Sequence, residues 1–364
     1  MMGLNASSRL FFCMRKVLCL YLVCGIAFGL SALAGSFTPP QNLNPESATI
    51  GLDSSYTDEA WLIYTYDIGA DGRVANAVIH SSNGIPRVER AVLERVQLMR
   101  FNPALSNGEP VLVSTDPITF TWILDQTREM SPPFADIYQA AWGYVKQKNY
   151  DAAFDQAAQL EAYPARNAYE EVKVQILAAS LANRRGDEAA ELRRLARGVE
   201  FQTLADDNNF QNRYIEQGQY LQILTRTQAL QLDRMMLADA AATLEKIQGQ
   251  ATGTEIASSA AALFAATEQA FHAKADATVS AELTPVYRDG PGTWKTGLSR
   301  DTFSISNVEG KINTIFLMCD RAEKQIAYPS DDPWTIPVGW QQCKVDVSGR
   351  AGTRFILHQL ISRG

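Results

Sequence analysis

The sequence predicts a multidomain α+β protein, and three changes of texture along its 364 residues carry that prediction. Residues 60–124 mix two strand-like runs, a short helix and a further strand. Residues 134–274 are alanine-rich, with Leu, Glu, Gln and Arg at helical spacing, and residues 281–364 return to Gly, Pro, Thr, Val and aromatics in short alternating runs. The joints fall at residues 125–133 and 272–283, where Pro, Ser and mixed polar residues interrupt the periodicity. A chain of this length accommodates two or three domains.

The start of the chain reads as an export signal. Arg9, Arg15 and Lys16 precede an uncharged run over residues 17–34 that ends Ala32-Leu33-Ala34 before Gly35, with cleavage expected after Ala34. The run is near the shortest that spans a bilayer, so an uncleaved inner-membrane anchor is the alternative. Cys13, Cys19 and Cys24 lie inside this segment, and Cys319 and Cys343 are the remaining two of five cysteines. In an exported protein they are expected to form a disulfide worth about 3 kcal/mol, two buried thiols being the alternative. The first 34 residues hold three basic groups and no acidic one, so without them the formal charge falls from −7 to −10. So acidic a chain has no electrostatic footprint for nucleic acid or an anionic membrane surface, leaving the N-terminal segment, if uncleaved, as the membrane contact.

In the first folded region, Leu62, Tyr64, Tyr66 and Ile68 alternate with Trp61, Ile63, Thr65 and Asp67, and a second run follows Asp71-Gly72. Asp-Gly between two such runs predicts a hairpin. The same residues suggest a calcium loop, but Gly69 and Val78 stand where an EF-hand needs oxygen ligands, so the turn is preferred. Pro86 then opens a helix with Val88, Ala91, Val92, Val96 and Met99 on one stripe. It stops before Arg100-Phe101-Asn102-Pro103, because proline cannot continue it. Asn107-Gly108 forms another turn, and Ile118, Thr119, Phe120, Thr121, Trp122, Ile123 and Leu124 form the closing strand.

Residues 58–125 resemble the C-terminal domain of TonB, the periplasmic end of an energy transducer. The markers are Asp71-Gly72-Arg73-Val74, Arg100-Phe101-x-Pro103 after the helix, and Gly108-x-Pro110-Val111 before the last strand; their order and spacing carry the resemblance. It implies a β-β-α-β fold that binds by strand addition, a partner's extended peptide pairing along the edge from Ile118 to Leu124. Unpaired N–H and C=O groups on any sheet edge offer such hydrogen bonds. The implied partners are envelope proteins of a Gram-negative bacterium: an outer-membrane receptor or a periplasmic peptide segment. The chain departs from an energy transducer in three respects. Its linker, residues 35–57, holds only three prolines and reaches at most about 80 Å; Tyr56 is followed by Thr57 rather than proline; and some 240 residues follow the domain. A soluble protein of the periplasm or cell envelope that uses the domain is therefore expected, with transduction for outer-membrane transport as the alternative.

Residues 140–164 resemble one tetratricopeptide repeat (TPR), with Trp142, Gly143 and Tyr144 on a first helix, Tyr150, Ala153 and Ala157 on a second, and Pro164 closing. Residues 177–198 resemble a poorer copy turning at Gly186-Asp187, and a third helical pair is expected over residues 214–247. The C-terminal region predicts strands at residues 302–306, 312–318, 325–328, 341–347 and 354–360, forming a small barrel or sandwich. Residues 290–296 read as a loop whose glycines have the wrong spacing for phosphate binding. His80, His272 and His358 fall in three different regions, and no H-E-x-x-H, G-x-S-x-G or paired-cysteine ligand set is present. His80 reads as a half-buried strand residue. No catalytic residue, metal or cofactor is expected, and the reading is a non-enzymatic interaction module. The alternative is an envelope enzyme or ligand-binding protein with Trp294, Trp334 and Trp340 lining a site in the last domain.

Overall fold

The computed structural model describes residues 37–45, 59–106, 108–115, 118–122, 129–207, 214–285, 291–319, 322–330, 332–337 and 340–361. The export signal expected at residues 1–34 lies outside them, as does most of the stretch read as linker. Among the described residues no helix is long and apolar enough to cross a membrane. The molecule is of mixed α+β construction, with a small αβ unit, a helical layer and a β-sandwich in chain order.

The chain enters through β1 (Phe37–Thr38) and β2 (Gln41–Asn42), followed by β3 (Ala60–Ile68) and β4 (Val74–Ser82), which pair antiparallel. The turn between β3 and β4 closes when Gly72 N–H donates to Gly69 O and Gly69 N–H to Arg73 O, both at 2.9 Å. Gly72 has φ 73°, and a Cβ built there would meet Phe101 O at 2.0 Å, so both conformation and space require glycine. Its carbonyl accepts from Phe101 N–H at 2.9 Å, tying two of the sequence markers together. Asp67 is a strand residue whose carboxylate accepts from Asn76 Nδ2 (2.7 Å) and Ser114 Oγ (2.5 Å).

Helix α1 (Pro86–Leu98) has proline in its first turn and buries Val88, Val92 and Val96. Beyond it run β5 (Phe101–Asn102), β6 (Ala104–Ser106), β7 (Glu109–Val111), β8 (Val113–Ser114) and β9 (Ile118–Trp122). β6 and β7 form the hairpin expected at Gly108 (φ 85°). β8 and β9 both pair with β3, on the side away from β4. Ala60, Leu62, Tyr64, Tyr66 and Ile68 share one core with α1, as period-two alternation requires. Part of the stretch read as linker is docked rather than free: β1 pairs β6, β2 pairs β5, and Asn44 Oδ1 accepts from Arg100 N–H at 2.8 Å. Backbone groups left open by these short strands find partners in the N-terminal segment.

Among the described residues seven helices follow: α2 (Pro132–Lys146), α3 (Tyr150–Glu161), α4 (Ala168–Arg185), α5 (Glu188–Asp207), α6 (Gln217–Asp233), α7 (Leu237–Gln250) and α8 (Glu255–His272). Local chemistry sets the ends. Asn149 caps α3, left-handed Gly186 (φ 71°) stops α4, and Asp187 Oδ1 accepts from Ala190 N–H at 2.9 Å. Ala141, Ala153 and Ala157 are buried, allowing α2 and α3 to approach closely. Glu170 closes a capping box with Asn167 and also accepts from Ser131 N–H and Oγ, both at 2.8 Å, joining the starts of α2 and α4. Glu191, 4% exposed, accepts from Arg226 Nε (2.8 Å) and Nη2 (2.7 Å) and from Asn183 Nδ2 (3.0 Å), binding α5 to α6 and α4. Burial pushes this carboxyl up, but the Arg226 and Asn183 hydrogen bonds outweigh it and hold the group below the usual carboxylate range.

The last region is a sandwich of antiparallel sheets, one of the two forms expected. Its strands are β10 (Asp276–Glu282), β11 (Thr284–Pro285), β12 (Gly292–Gly297), β13 (Thr302–Glu309), β14 (Ile312–Cys319), β15 (Ala322–Ile326), β16 (Trp334–Thr335), β17 (Lys344–Gly349) and β18 (Arg354–Leu360). One sheet has the order β10-β18-β13-β16 and the other β11-β12-β17-β14-β15. Cys319 and Cys343 form the expected disulfide, joining the end of β14 to the start of β17. Three readings are corrected. Residues 292–297 are a strand rather than a loop, with Gly292 and Gly297 where a Cβ would strike Leu283 and Ala238. β10 fills a stretch read as a joint; its inward residues Ala277, Val279 and Ala281 are too small to give a strong alternation. The strand read at residues 325–328 is β15 at Ala322–Ile326, shifted toward the turn after β14 because it pairs back on β14 from Cys319↔Ala322 to Ile315↔Ile326. Arg300 fastens the sandwich to the helices: its guanidinium donates to Phe271 O (2.5 Å), Lys274 O (2.7 Å) and Ala275 O (3.2 Å) at the end of α8, and to Gln359 O (2.6 Å) on β18.

Gly72→Ala is expected to lower stability by at least about 2 kcal/mol in urea titration, from left-handed strain plus overlap with Phe101. Glu191→Gln is expected to cost about 2 kcal/mol at neutral pH. Because the folded pKa lies below the unfolded one, that loss is full above about pH 5 and fades as pH falls through the folded pKa, which parallel melts at pH 7 and pH 3 will show.

Candidate partner-binding edge

The sheet of the first unit has two edges, and they differ. β4 pairs with β3 through two register shifts, and its Asn76 sits at φ 47°, features that bend a strand and blunt its edge. β9 pairs with β3 in unbroken register, from Ala60↔Trp122 to Tyr64↔Ile118. Among the described residues no strand pairs with its outer side. Of the seven edge residues read from the sequence, Ile118, Thr119, Phe120, Thr121 and Trp122 form β9, while Ile123 and Leu124 lie outside the described residues.

Backbone direction follows from Trp61. Its N–H donates to Asn83 Oδ1 (3.3 Å) and its C=O accepts from Asn83 N–H (3.1 Å), both on the β4 side. Alternation turns the groups of Ala60, Leu62 and Tyr64 toward β9. The N–H and C=O of Thr119 and Thr121 then face outward, available to an added strand.

The two faces of this edge have different neighbours. Ile118, Phe120 and Trp122 are half-buried against the core shared with α1. On the other face stands Trp61, directly opposite Thr121 in the register, and it belongs to the core of the helical layer. Its ring meets Phe201 edge-on with centroids 5.7 Å apart, its Nε1 donates to Arg166 O (2.9 Å), and the Arg166 and Arg197 guanidinium carbons stand 5.9 and 5.8 Å from the ring centroid. Thr119 Oγ1 donates to Glu200 Oε1 and accepts from Arg197 Nη1 at 3.1 Å, while Arg197 Nη1 also donates to Glu200 Oε2 at 2.8 Å. Helix α5 is thus a wall beside the edge. Sequence reasoning missed Arg197 and Glu200, because helical periodicity gives the buried stripe of a helix without saying what the stripe meets, and Arg166, because it lies in the connection between α3 and α4 where no periodicity applies.

The other residues singled out in the sequence are dispersed. His80 Nε2 shares a 2.7 Å hydrogen bond with Thr65 Oγ1, and burial lowers its pKa. His272 ends α8, its ring edge-on to Phe271, and His358 lies on β18. The three tryptophans do not converge. Trp294 packs edge-on to Phe355 (5.3 Å), Trp334 lies against Phe303 (5.2 Å), and Trp340 also leans on the sandwich core. A groove of about 650 Å³ between α6 and α8 is lined by apolar residues such as Leu221, Ile256 and Leu263 together with polar ones such as Gln222, Arg226 and Glu255.

Residues 59–124 match the family model of the Gram-negative bacterial TonB protein C-terminal. The match agrees in position with the resemblance read from the hairpin, helix and closing strand. No curated protein and no solved structure matches the chain. The helical layer and the sandwich lie beyond the matched residues, so the tetratricopeptide resemblance rests on residue pattern and paired helices alone.

Trp61→Ala is expected to remove about 3–5 kcal/mol and, more tellingly, to loosen the first unit from the helices. Hydrogen exchange should then rise in β9 and α5 before it rises in the sandwich.

Proposed function

We propose that this chain is an exported periplasmic protein whose TonB-like domain holds an envelope partner by strand addition on β9, with the helical layer as scaffold. The observation that carries the reading is the unshifted, outward-facing edge of β9, in a domain whose family is of Gram-negative TonB. An added strand gains main-chain hydrogen bonds from Thr119 and Thr121, and its side chains meet the apolar Ile118, Phe120 and Trp122 on one face and helix α5 on the other. Paired helices turning at Gly186 and capped at Asn149 support a TPR-like scaffold.

The docking of β1 and β2 onto β6 and β5 favours this reading over energy transduction. Residues spent on those pairings are subtracted from the linker's reach, which is short even when fully extended. The partner is an extended segment of an outer-membrane receptor or of another periplasmic protein.

Proline at position 121 separates binding from folding, because the Thr121 N–H faces away from β3. Thr121→Pro is expected to reduce recovery of envelope partners by tagged protein at least about tenfold, the loss of one to two main-chain hydrogen bonds and of local fit, while the melt stays cooperative. Undiminished partner recovery would sink strand addition at this edge. Fractionation tests the address: an inner-membrane product retaining residues 1–34 would restore the transducer alternative.

A further inference from the structure

On the outer face of the sandwich, three residues from three adjacent strands stand in line. Ser306 lies on β13, His358 on β18 and Asp276 at the start of β10, in the sheet order β10-β18-β13. Ser306 Oγ is 2.7 Å from His358 Nε2, and His358 Nδ1 is 2.8 Å from Asp276 Oδ2. Residues an odd number of positions away on the same strands, Ala277, Phe303, Phe355 and Leu357, are buried on the opposite side of the sheet. The three side chains therefore share the solvent face, with the histidine and aspartate side chains 22% and 43% exposed.

The register makes the arrangement more than a ladder of neighbours. Directly across from His358 are Thr278 on β10 and Ser304 on β13, two hydroxyl residues on the same face. The imidazole passes both and reaches diagonally to Asp276 and Ser306. Ser306 is also the last regularly paired residue before a register shift to Glu309, and Asn307 beside it has φ 50°. Bulges of this kind re-aim side chains and gather next to active sites.

We infer that Ser306, His358 and Asp276 form a nucleophilic site for hydrolysis of carboxylic esters, an activity separate from strand addition on β9. With Asp276 ionised, Nδ1–H donates to its carboxylate and fixes the tautomer, leaving Nε2 to accept from Ser306 O–H. Ser306 Oγ attacks the ester carbonyl carbon as its proton moves to Nε2. The carbonyl–alkoxy bond then breaks, and the proton passes from Nε2 to the leaving alkoxide, releasing the alcohol and leaving an acyl-serine. Water attacks the acyl carbon as Nε2 takes one of its protons, the bond between the acyl carbon and Ser306 Oγ breaks to release the carboxylic acid, and Ser306 Oγ recovers that proton. Ser306 and His358 are the catalytic residues, and Asp276 is a positioning residue. The site is an open strand face, which suits an ester carried on a larger molecule laid across the sheet.

The test is reaction of the purified full chain with a fluorophosphonate, in which Ser306 Oγ bonds to phosphorus and fluoride leaves with the proton. One phosphonyl group per chain is expected, mapped to Ser306 by peptide mass spectrometry and lost in Ser306→Ala. His358→Gln is expected to slow labelling about 100-fold or more. It should also abolish a single-ionisation pH dependence of the labelling rate, which a structural role would not produce. Asp276→Asn should slow labelling while preserving the melt. Hydrolysis of p-nitrophenyl acetate by the unmodified chain should fall in step with labelling, a measurement that stands even where a variant fails to fold. No labelling of Ser306 in the folded chain, or equal labelling rates with and without His358, overturns the proposal.

Discussion

The architecture depends on Trp61. A β-strand sends alternate side chains to opposite faces, and in the first unit one set is consumed by the core shared with α1. The other face would leave a large aromatic in water. Burying it between Phe201, Arg166 and Arg197 makes the helical layer the second roof of the sheet. Arg166 shows how little slack remains. Its carbonyl accepts from Trp61 Nε1–H, and its guanidinium pairs with Glu171 at 2.9 Å and donates to Leu160 O and Tyr163 O, both at 3.1 Å, at the end of α3. One residue thereby fixes the tryptophan, the end of one helix and the first turn of the next.

Local chemistry was legible in the sequence. The Asp71-Gly72 hairpin, the valine stripe of α1, the turn at Gly186 and the pairing of Cys319 with Cys343 each depend on a few neighbours or on a simple count. The family resemblance falls where the family match falls, at residues 59–124. β10 and β12 were hidden, because alanine and glycine give weak alternation and the strands exist through partners far along the chain. The role of Trp61 was hidden for another reason: alternation assigns it a face without naming the neighbour. Asp276 and His358 are separated by 82 positions, and only the sheet order brings them together.

The edge and the sandwich face differ in how a partner would meet them. β9 offers main-chain groups beside the charged wall of α5, so fit depends on backbone geometry with side chains refining it. On the sandwich face, the side chains of three neighbouring strands would do the work proposed there. The helices between them carry ionic ties, such as buried Glu191 with the part-exposed Arg226, that hold one helix against the next.

Those ties also describe how the molecule carries tension. A pull on β9 is resisted through Thr119 and Trp61 by α5, passes to α6 at Glu191 and Arg226, and crosses to α8 where Gln228 Nε2 donates to Ala260 O at 3.4 Å. Helix α8 ends in the grip of Arg300, whose other hand holds Gln359, next to His358 on the same strand. A line of force made of hydrogen bonds, an ion pair and an aromatic contact therefore runs from the β9 edge to the far sheet, with the chain's own backbone connections in parallel to it.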